Sequence, residues 1–224
     1  MYKNINKLLQ QYQKKLTFLI SSGPTKEYID PVRFISNESS GKMGNALANA
    51  ITRKGYRVIF ISGPVNIFPR NVKLIKVTTA LEMFKEIKLN FNKADIIISV
   101  AAVADYRPVK TYRHKIKKKK SLISIEFKQN PDIIKYCGKN KKNQVVVGFA
   151  LETENLVNTA KIKLKNKKLD IVVANNKESF NSKVITAYII SNNNILEIKN
   201  KNKKFIAEKI IDETIRIFRN IASC

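Results

Sequence analysis

Four segments of the 224-residue chain carry side chains whose types and spacing suit the handling of phosphate or an activated acid. The first is Ser39-Ser40-Gly41-Lys42-Met43-Gly44, which opens onto apolar residues at helical spacing. Serine and glycine at a helix start leave backbone N–H groups available, let an anion approach closely and place it at the favourable end of the dipole. Gly41 and Gly44 are the positions expected to meet a phosphate of the substrate, although N-capping by Ser39 or Ser40 accounts for the same residue types. Neither Gly-x-Gly-x-x-Gly nor the Walker pattern is present. The second segment, Ala101-Ala102-Val103-Ala104-Asp105-Tyr106-Arg107, follows a strongly apolar run. Its small residues admit a ligand to the backbone, and Asp105 either contacts that ligand or caps the loop. The third, His114 to Lys120, is either a solvated basic loop or a flap whose lysine neutralises charge developing on phosphate. The fourth runs from Gly148-Phe149-Ala150 to a helix bearing Lys163 and Lys167, four apart and so on one side.

Other chemistries find no support. His114 is the sole histidine and sits among lysines, so neither a zinc site nor a Ser-His-Asp relay is expected. Cys137 shares an apolar helix face with Ile133 and Ile134, as a packed thiol does. An NAD(P)-dependent oxidoreductase would rest on fold alone.

The elements that must position these groups follow from apolar periodicity. Short buried runs at Leu16–Ile20, Val58–Ile61, Val72–Val77, Ala94–Val100, Val145–Phe149 and Leu169–Ala174 read as strands. Between them lie helical patterns from Gly41, over Ala80–Phe91, after Asn130-Pro131-Asp132, and from about Asn155 to Lys168. Strands at Val184–Ser191 and Ile195–Ile198 and a final helix through Phe205 and Phe218 close the chain. The alternation implies an α/β, Rossmann-like, open and mostly parallel sheet flanked by helices. A loop is expected from Ser21 to Ser40, a small β insertion or flap near 109–128, and a polar lead-in over 1–15 ahead of a single domain, 16–224. In such sheets ligands bind beyond the carboxyl ends of the strands, where the four segments would converge.

The chain carries a formal net charge of +26, which is the footprint of a nucleic-acid binder. Yet 35 lysines face only 8 arginines, they are scattered through nearly every segment, and Asn and Ile are abundant too, as A/T-rich coding produces. A dedicated phosphate reader would show more arginine. A basic nucleic-acid-binding α/β module is therefore the alternative reading. Two cysteines give no disulfide framework, and the N-terminus has no apolar signal core. A cytoplasmic protein without a dedicated nucleic-acid or membrane partner is expected.

Taken in order, Gly23-Pro24-Thr25, Asp30 to Asn37, Ser39 to Gly44, Ala101 to Arg107, Lys115-Ile116-Lys117-Lys118, Asn130-Pro131-Asp132, Gly148-Phe149-Ala150 with Glu152-Thr153, and Ala174-Asn175-Asn176 resemble one family. It is the bacterial phosphopantothenoylcysteine synthetases of coenzyme A biosynthesis, and the resemblance runs from about residue 17 to 220. It implies a CTP-dependent ligase that joins 4'-phosphopantothenate and cysteine through an acyl-cytidylate, releasing pyrophosphate and then CMP, with Mg²⁺ on the triphosphate. The metal ligands stay unassigned. Position by position, the resemblance implies that Asn37 acts on the acyl intermediate, that Arg33 meets the anionic substrate, and that Lys115 is the flap lysine over the triphosphate. Asp105, Ser99, Val100, Ala101, Asn130, Pro131, Asp132, Ile133, Phe149, Lys163 and Lys167 fall on CTP-contacting positions, Phe149 as a packing surface for the nucleotide. Ala102 joins Gly41 and Gly44 in binding the acid substrate. The resemblance also implies a homodimer in which the 109–128 insertion takes part. No flavin is expected: about 16 residues precede the first strand, so a flavin-dependent decarboxylase is expected either to be a separate polypeptide or to belong to a longer protein of which this is an excised portion. Two departures from the family pattern are Leu151, where alanine is usual, and Ser182-Lys183 after Phe180, where serine and an acid are usual.

Overall fold

Phe18, Leu19 and Ile20 are all buried, as are Ile96 to Ile98 and Val145 to Val147. Continuous apolar strands of this kind need cover on both faces, and the fold provides it. A computed structural model describes residues 15–118, 121–152, 155–176 and 184–222. In chain order its elements are β1 (Thr17–Ser22), β2 (Lys26–Tyr28), β3 (Phe34–Ser36), α1 (Lys42–Arg53), β4 (Arg57–Ser62), β5 (Lys73–Lys76), α2 (Ala80–Phe91), β6 (Ile96–Ser99), β7 (Tyr106–Pro108), β8 (Phe127–Gln129), α3 (Ile133–Asn140), β9 (Val145–Glu152), α4 (Leu156–Asn166), β10 (Ile171–Asn176), β11 (Val184–Ser191), β12 (Ile195–Asn202) and α5 (Lys203–Ala222).

The main sheet has eight strands in the order β12-β11-β10-β9-β6-β1-β4-β5. It is parallel from β5 to β10, and β11 pairs antiparallel with both neighbours. The period-two alternation of strands splits the core. Phe18, Ile20, Ile96, Ile98, Val145 and Val147 face α1 and α5 through Leu47, Ile51, Ile206 and Ile210. Leu19, Ile97 and Val146 face α2, α3 and α4 through Met83, Ile87, Cys137, Ala160 and Leu164. From β1 the chain winds outward to β4 and β5, then returns through α2 to β6 on the other side of β1. The strand order therefore reverses between β1 and β6, and a crevice opens beyond their carboxyl ends.

The expected α/β, mostly parallel architecture is the observed one, with two local corrections. The stretch from Ser21 to Ser40 is not all loop, because β2 and β3 pair as a small antiparallel hairpin. The strands near 109–128 sit only at the neck, where β7 pairs antiparallel with β8; among the described residues between them no strand forms. Residues 1–14, Lys119, Lys120, Thr153, Phe180 and the Ser182-Lys183 departure lie outside the described residues.

Candidate active site

The loops leaving β1 and β6 are stitched together across the crevice. Val100 N donates to the Ser21 carbonyl at 3.0 Å and Ala102 N to the Gly23 carbonyl at 2.9 Å. Thr25 Oγ1 accepts from Ala104 N at 3.0 Å. Gly23 adopts φ 76°, a conformation that favours glycine. Two cavities flank this seam, one on each face of the sheet, and Ala101 and Phe149 line both.

On the α3 and α4 side, a cavity of about 190 Å³ is lined by Ser99, Ala101, Asp105, Asn130, Pro131, Asp132, Ile133, Phe149, Lys163 and Lys167. These expected nucleotide residues come from well-separated stretches of sequence and meet at one place. Several are held by the protein itself. The Asn130 side chain is buried, donates to the Ala104 carbonyl at 2.8 Å and accepts from Arg107 Nη1 at 2.9 Å. Its own N–H donates to the Asp105 carbonyl at 2.7 Å. Asn130 thus fixes the Ala101–Arg107 loop and contributes to the cavity mainly by shape. Asp132 caps α3, accepting from Lys135 N at 3.0 Å, and it pairs with Lys167 at 2.9 Å. Lys163 Nζ donates to the Phe149 carbonyl at 2.5 Å. Lys163 lies in the last turn of α4 and Lys167 is its C-cap, so the expected helix ends just short of the second lysine, yet both line this cavity.

On the α1 and α5 side, a cavity of about 200 Å³ is lined by Ser39 to Gly44, Val100 to Ala102, Phe149, Leu151, Asn175 and Lys203, among others. Gly41 caps α1 with φ 68° and no side chain caps the first turn; Ser39 Oγ accepts only from Gly41 N, at 3.4 Å. N-capping by Ser39 or Ser40 is therefore not what these serines do. Gly44 has a packing reason for being glycine, because a Cβ there would stand 2.0 Å from Ser22 Oγ. Lys42 and Lys203 both line this cavity, and no carboxylate does among its described residues. Burial, with Lys42 nearby, pushes the Lys203 ammonium below its ordinary pKa. Residue periodicity gives no hint of Lys203, whose place in the cavity depends on α5 folding back over α1. Leu151, the other departure, also lines this cavity and is half exposed.

Arg33, Asn37 and Lys115 line neither cavity. All three stand at the same end of the sheet. Asn37 Nδ2 donates to the carbonyl of Val103, a wall residue of the α3-side cavity, at 3.0 Å. Arg33 pairs with Asp30 at 2.6 Å and reaches the Ile116 carbonyl, next to Lys115. Cys137 lies on the buried face of α3, and burial pushes its thiol up to about 12, so it is an inert packing group.

A family model described as the DNA/pantothenate metabolism flavoprotein C-terminal domain matches residues 13–217. The chain belongs to this family. Among the family's relatives, the coenzyme A biosynthesis bifunctional protein CoaBC of Borreliella burgdorferi is 44% identical over 206 residues, 90% of this chain and 53% of that protein. CoaBC of Bacillus subtilis is 45% identical over 159 residues, 70% of this chain and 39% of that one. The chain thus spans about half the length, or less, of these curated relatives. The crystal structure of the C-terminal domain of a CoaBC superposes with a TM-score of 0.80 at 33% identity, covering 93% of this chain and 97% of that one.

Proposed function

We propose that this chain is a ligase of coenzyme A biosynthesis that joins 4'-phosphopantothenate to cysteine at the expense of CTP. Support comes from the family membership, from relatives named for coenzyme A biosynthesis, and above all from the α3-side cavity. There Ser99, Ala101, Asp105, Asn130 to Ile133, Phe149, Lys163 and Lys167 meet. In this reading the cavity takes the nucleotide. Phe149 packs against it, Asp105 meets it at the rim, and Lys163 and Lys167 turn from Phe149 and Asp132 to its phosphates. The neighbouring cavity, with Gly41, Gly44 and Ala102, takes the phosphate-bearing acid. Ala101 and Phe149, common to both, bring the two reacting ends together.

The carboxylate of the acid attacks the α-phosphorus of CTP and pyrophosphate leaves, giving an acyl-cytidylate. The amine of cysteine then attacks the acyl carbon, CMP leaves with the bonding pair, and the amine's proton passes to solvent or base. A carboxylate lacks a good leaving group, and cytidylylation supplies one. The protein's contribution is orientation and charge neutralisation. Asn37 holds the acyl oxygen, while Arg33 and Lys115 carry positive charge to the anions. Mg²⁺ fits as an ion carried by the triphosphate: Asp105 and Asp132 are the acids lining the cavity, and Asp132 is already paired with Lys167.

A homodimer belongs to the same reading. Val32, Phe34 and Ile35 on the hairpin and Val109 and Tyr112 on the segment packed against it are exposed apolar residues on neighbouring segments, where a second copy would bring the cations of one chain toward the cavities of the other. The deciding experiment is a coupled pyrophosphate assay with CTP and ATP in parallel. Pyrophosphate should appear only with phosphopantothenate and CTP, and sustained turnover should require cysteine. Binding of CTP without pyrophosphate release in the presence of the acid would overturn the assignment.

A further inference from the structure

Asp30 lies where two segments expected to carry chemistry meet. Its side chain is fully buried and its two oxygens accept four hydrogen bonds. Oδ1 accepts from Val32 N and Arg33 N, both at 2.9 Å. Oδ2 accepts from Arg33 Nη1 at 2.6 Å and from Ile116 N at 3.1 Å. Arg33 also donates from Nη1 and Nη2 to the Ile116 carbonyl, at 3.3 and 3.4 Å. Both backbone polar groups of Ile116 are therefore held by the Asp30–Arg33 pair, and the residue before it is Lys115. Earlier in the same segment, Tyr112 N donates to the Ile29 carbonyl at 2.9 Å and Thr111 Oγ1 to the Tyr28 carbonyl at 3.1 Å. Asp30 is thus the nearest side-chain anchor to Lys115 along this seam.

We propose that Asp30 is a positioning residue that sets the place of Lys115 and the direction of Arg33 together, so that hairpin and flap present their two cations as one unit. The effect on catalysis rests on the ligase reading of Arg33 and Lys115; the anchoring itself does not. Burial alone would raise the Asp30 carboxyl, but hydrogen bonds from Val32, Ile116 and Arg33, with the Arg33 charge, outweigh it and hold the group below the usual carboxylate range. The anchor is therefore ionised at working pH. Charge-assisted bonds of this kind are stronger and shorter than neutral ones.

Asp30→Asn tests the idea, because it keeps the Oδ1 acceptor for the local turn and puts an NH₂ where Arg33 and Ile116 need an acceptor. It should lower kcat/KM for the nucleotide roughly 10- to 100-fold, the range for a lost hydrogen bond to a charged group. In a Lys115→Gln background the same change should cost only the share that acts through Arg33, at least roughly 3-fold less than in the wild type, because groups acting through one another are not additive. Full additivity would overturn the proposal, since a general structural defect would be felt equally in both backgrounds. Amide exchange on the unmodified protein gives an independent reading. The Ile116 amide should exchange more slowly than those of Lys115 and Lys117, and equal rates would overturn the anchor. If Asp30→Asn does not fold, Asp30→Glu, which keeps the charge but displaces the acceptor oxygens, takes its place in the kinetic comparison. If the unmodified protein releases no pyrophosphate, the ligase reading falls and exchange at Ile116 alone decides the anchor.

Discussion

Asn37 donates to the Val103 carbonyl from an exposed position at the cavity rim, which suits a group that swings onto an acyl oxygen once substrate arrives. Asn37→Asp replaces the amide donor by an anion beside a mixed anhydride. It is expected to release about one equivalent of pyrophosphate per site and then stall with the acyl-cytidylate bound, as quench-flow with labelled CTP would detect; unchanged steady-state turnover would remove Asn37 from the mechanism. At Cys137 the sign of the pH effect is fixed. Its folded pKa, about 12, exceeds the ordinary value of 9.0, so the folded state holds the proton more tightly and stability is lost as pH rises from about 9 to about 12. Urea midpoints of the wild type should fall more than those of Cys137→Ala between about pH 8 and about pH 11, and the thiol should react with labelling reagents only on unfolding. The family resemblance, more than residue type alone, pointed to Asp105, Phe149, Lys163 and Lys167. Neither pointed to Lys203 or to the four donors on Asp30, because those depend on segments distant in sequence coming into contact.

Helix α5 packs on α1 through buried Ile206, Ile210 and Ile211 and through two ion pairs at the rim, Arg53–Glu208 at 3.0 Å and Lys54–Asp212 at 2.9 Å. The magnitudes separate sharply. Ile210→Ala removes fully buried methyl groups and should cost about 2–5 kcal/mol. Glu208→Gln breaks an exposed pair and should cost no more than about 1 kcal/mol. Urea unfolding of both variants checks the contrast, and equal losses would mean that the rim ion pairs hold the two helices together. Strands β1, β6 and β9 were legible because each is an unbroken apolar run covered on both faces. The β2–β3 hairpin was not, because its strands are three residues long and Phe34 and Ile35 are exposed. The same holds for β7 and β8, whose pairing is set by the neck of the insertion rather than by any alternation within it.

For the molecule as a whole, the net charge of +26 gives a field that attracts polyanions without building a groove for them. Such attraction weakens steeply with salt. The exposed apolar surface made by the hairpin and the 109–118 segment is a different matter. Light scattering after gel filtration should give twice the mass of one chain, and Val32→Glu combined with Ile35→Lys should give a single chain's mass with an unchanged circular dichroism spectrum. A monomeric wild type would place the cations of this surface within their own subunit.

The position of α5 has a consequence for biogenesis. Part of the sheet face that α1 shares with α5, from β9 to β12, stays open until residues 203–222 dock, so a nascent polypeptide emerging from the ribosome carries a bare apolar patch until α5 is made. Holdase chaperones would find their target on that face, and a chain truncated before Lys203 would leave it open to aggregation.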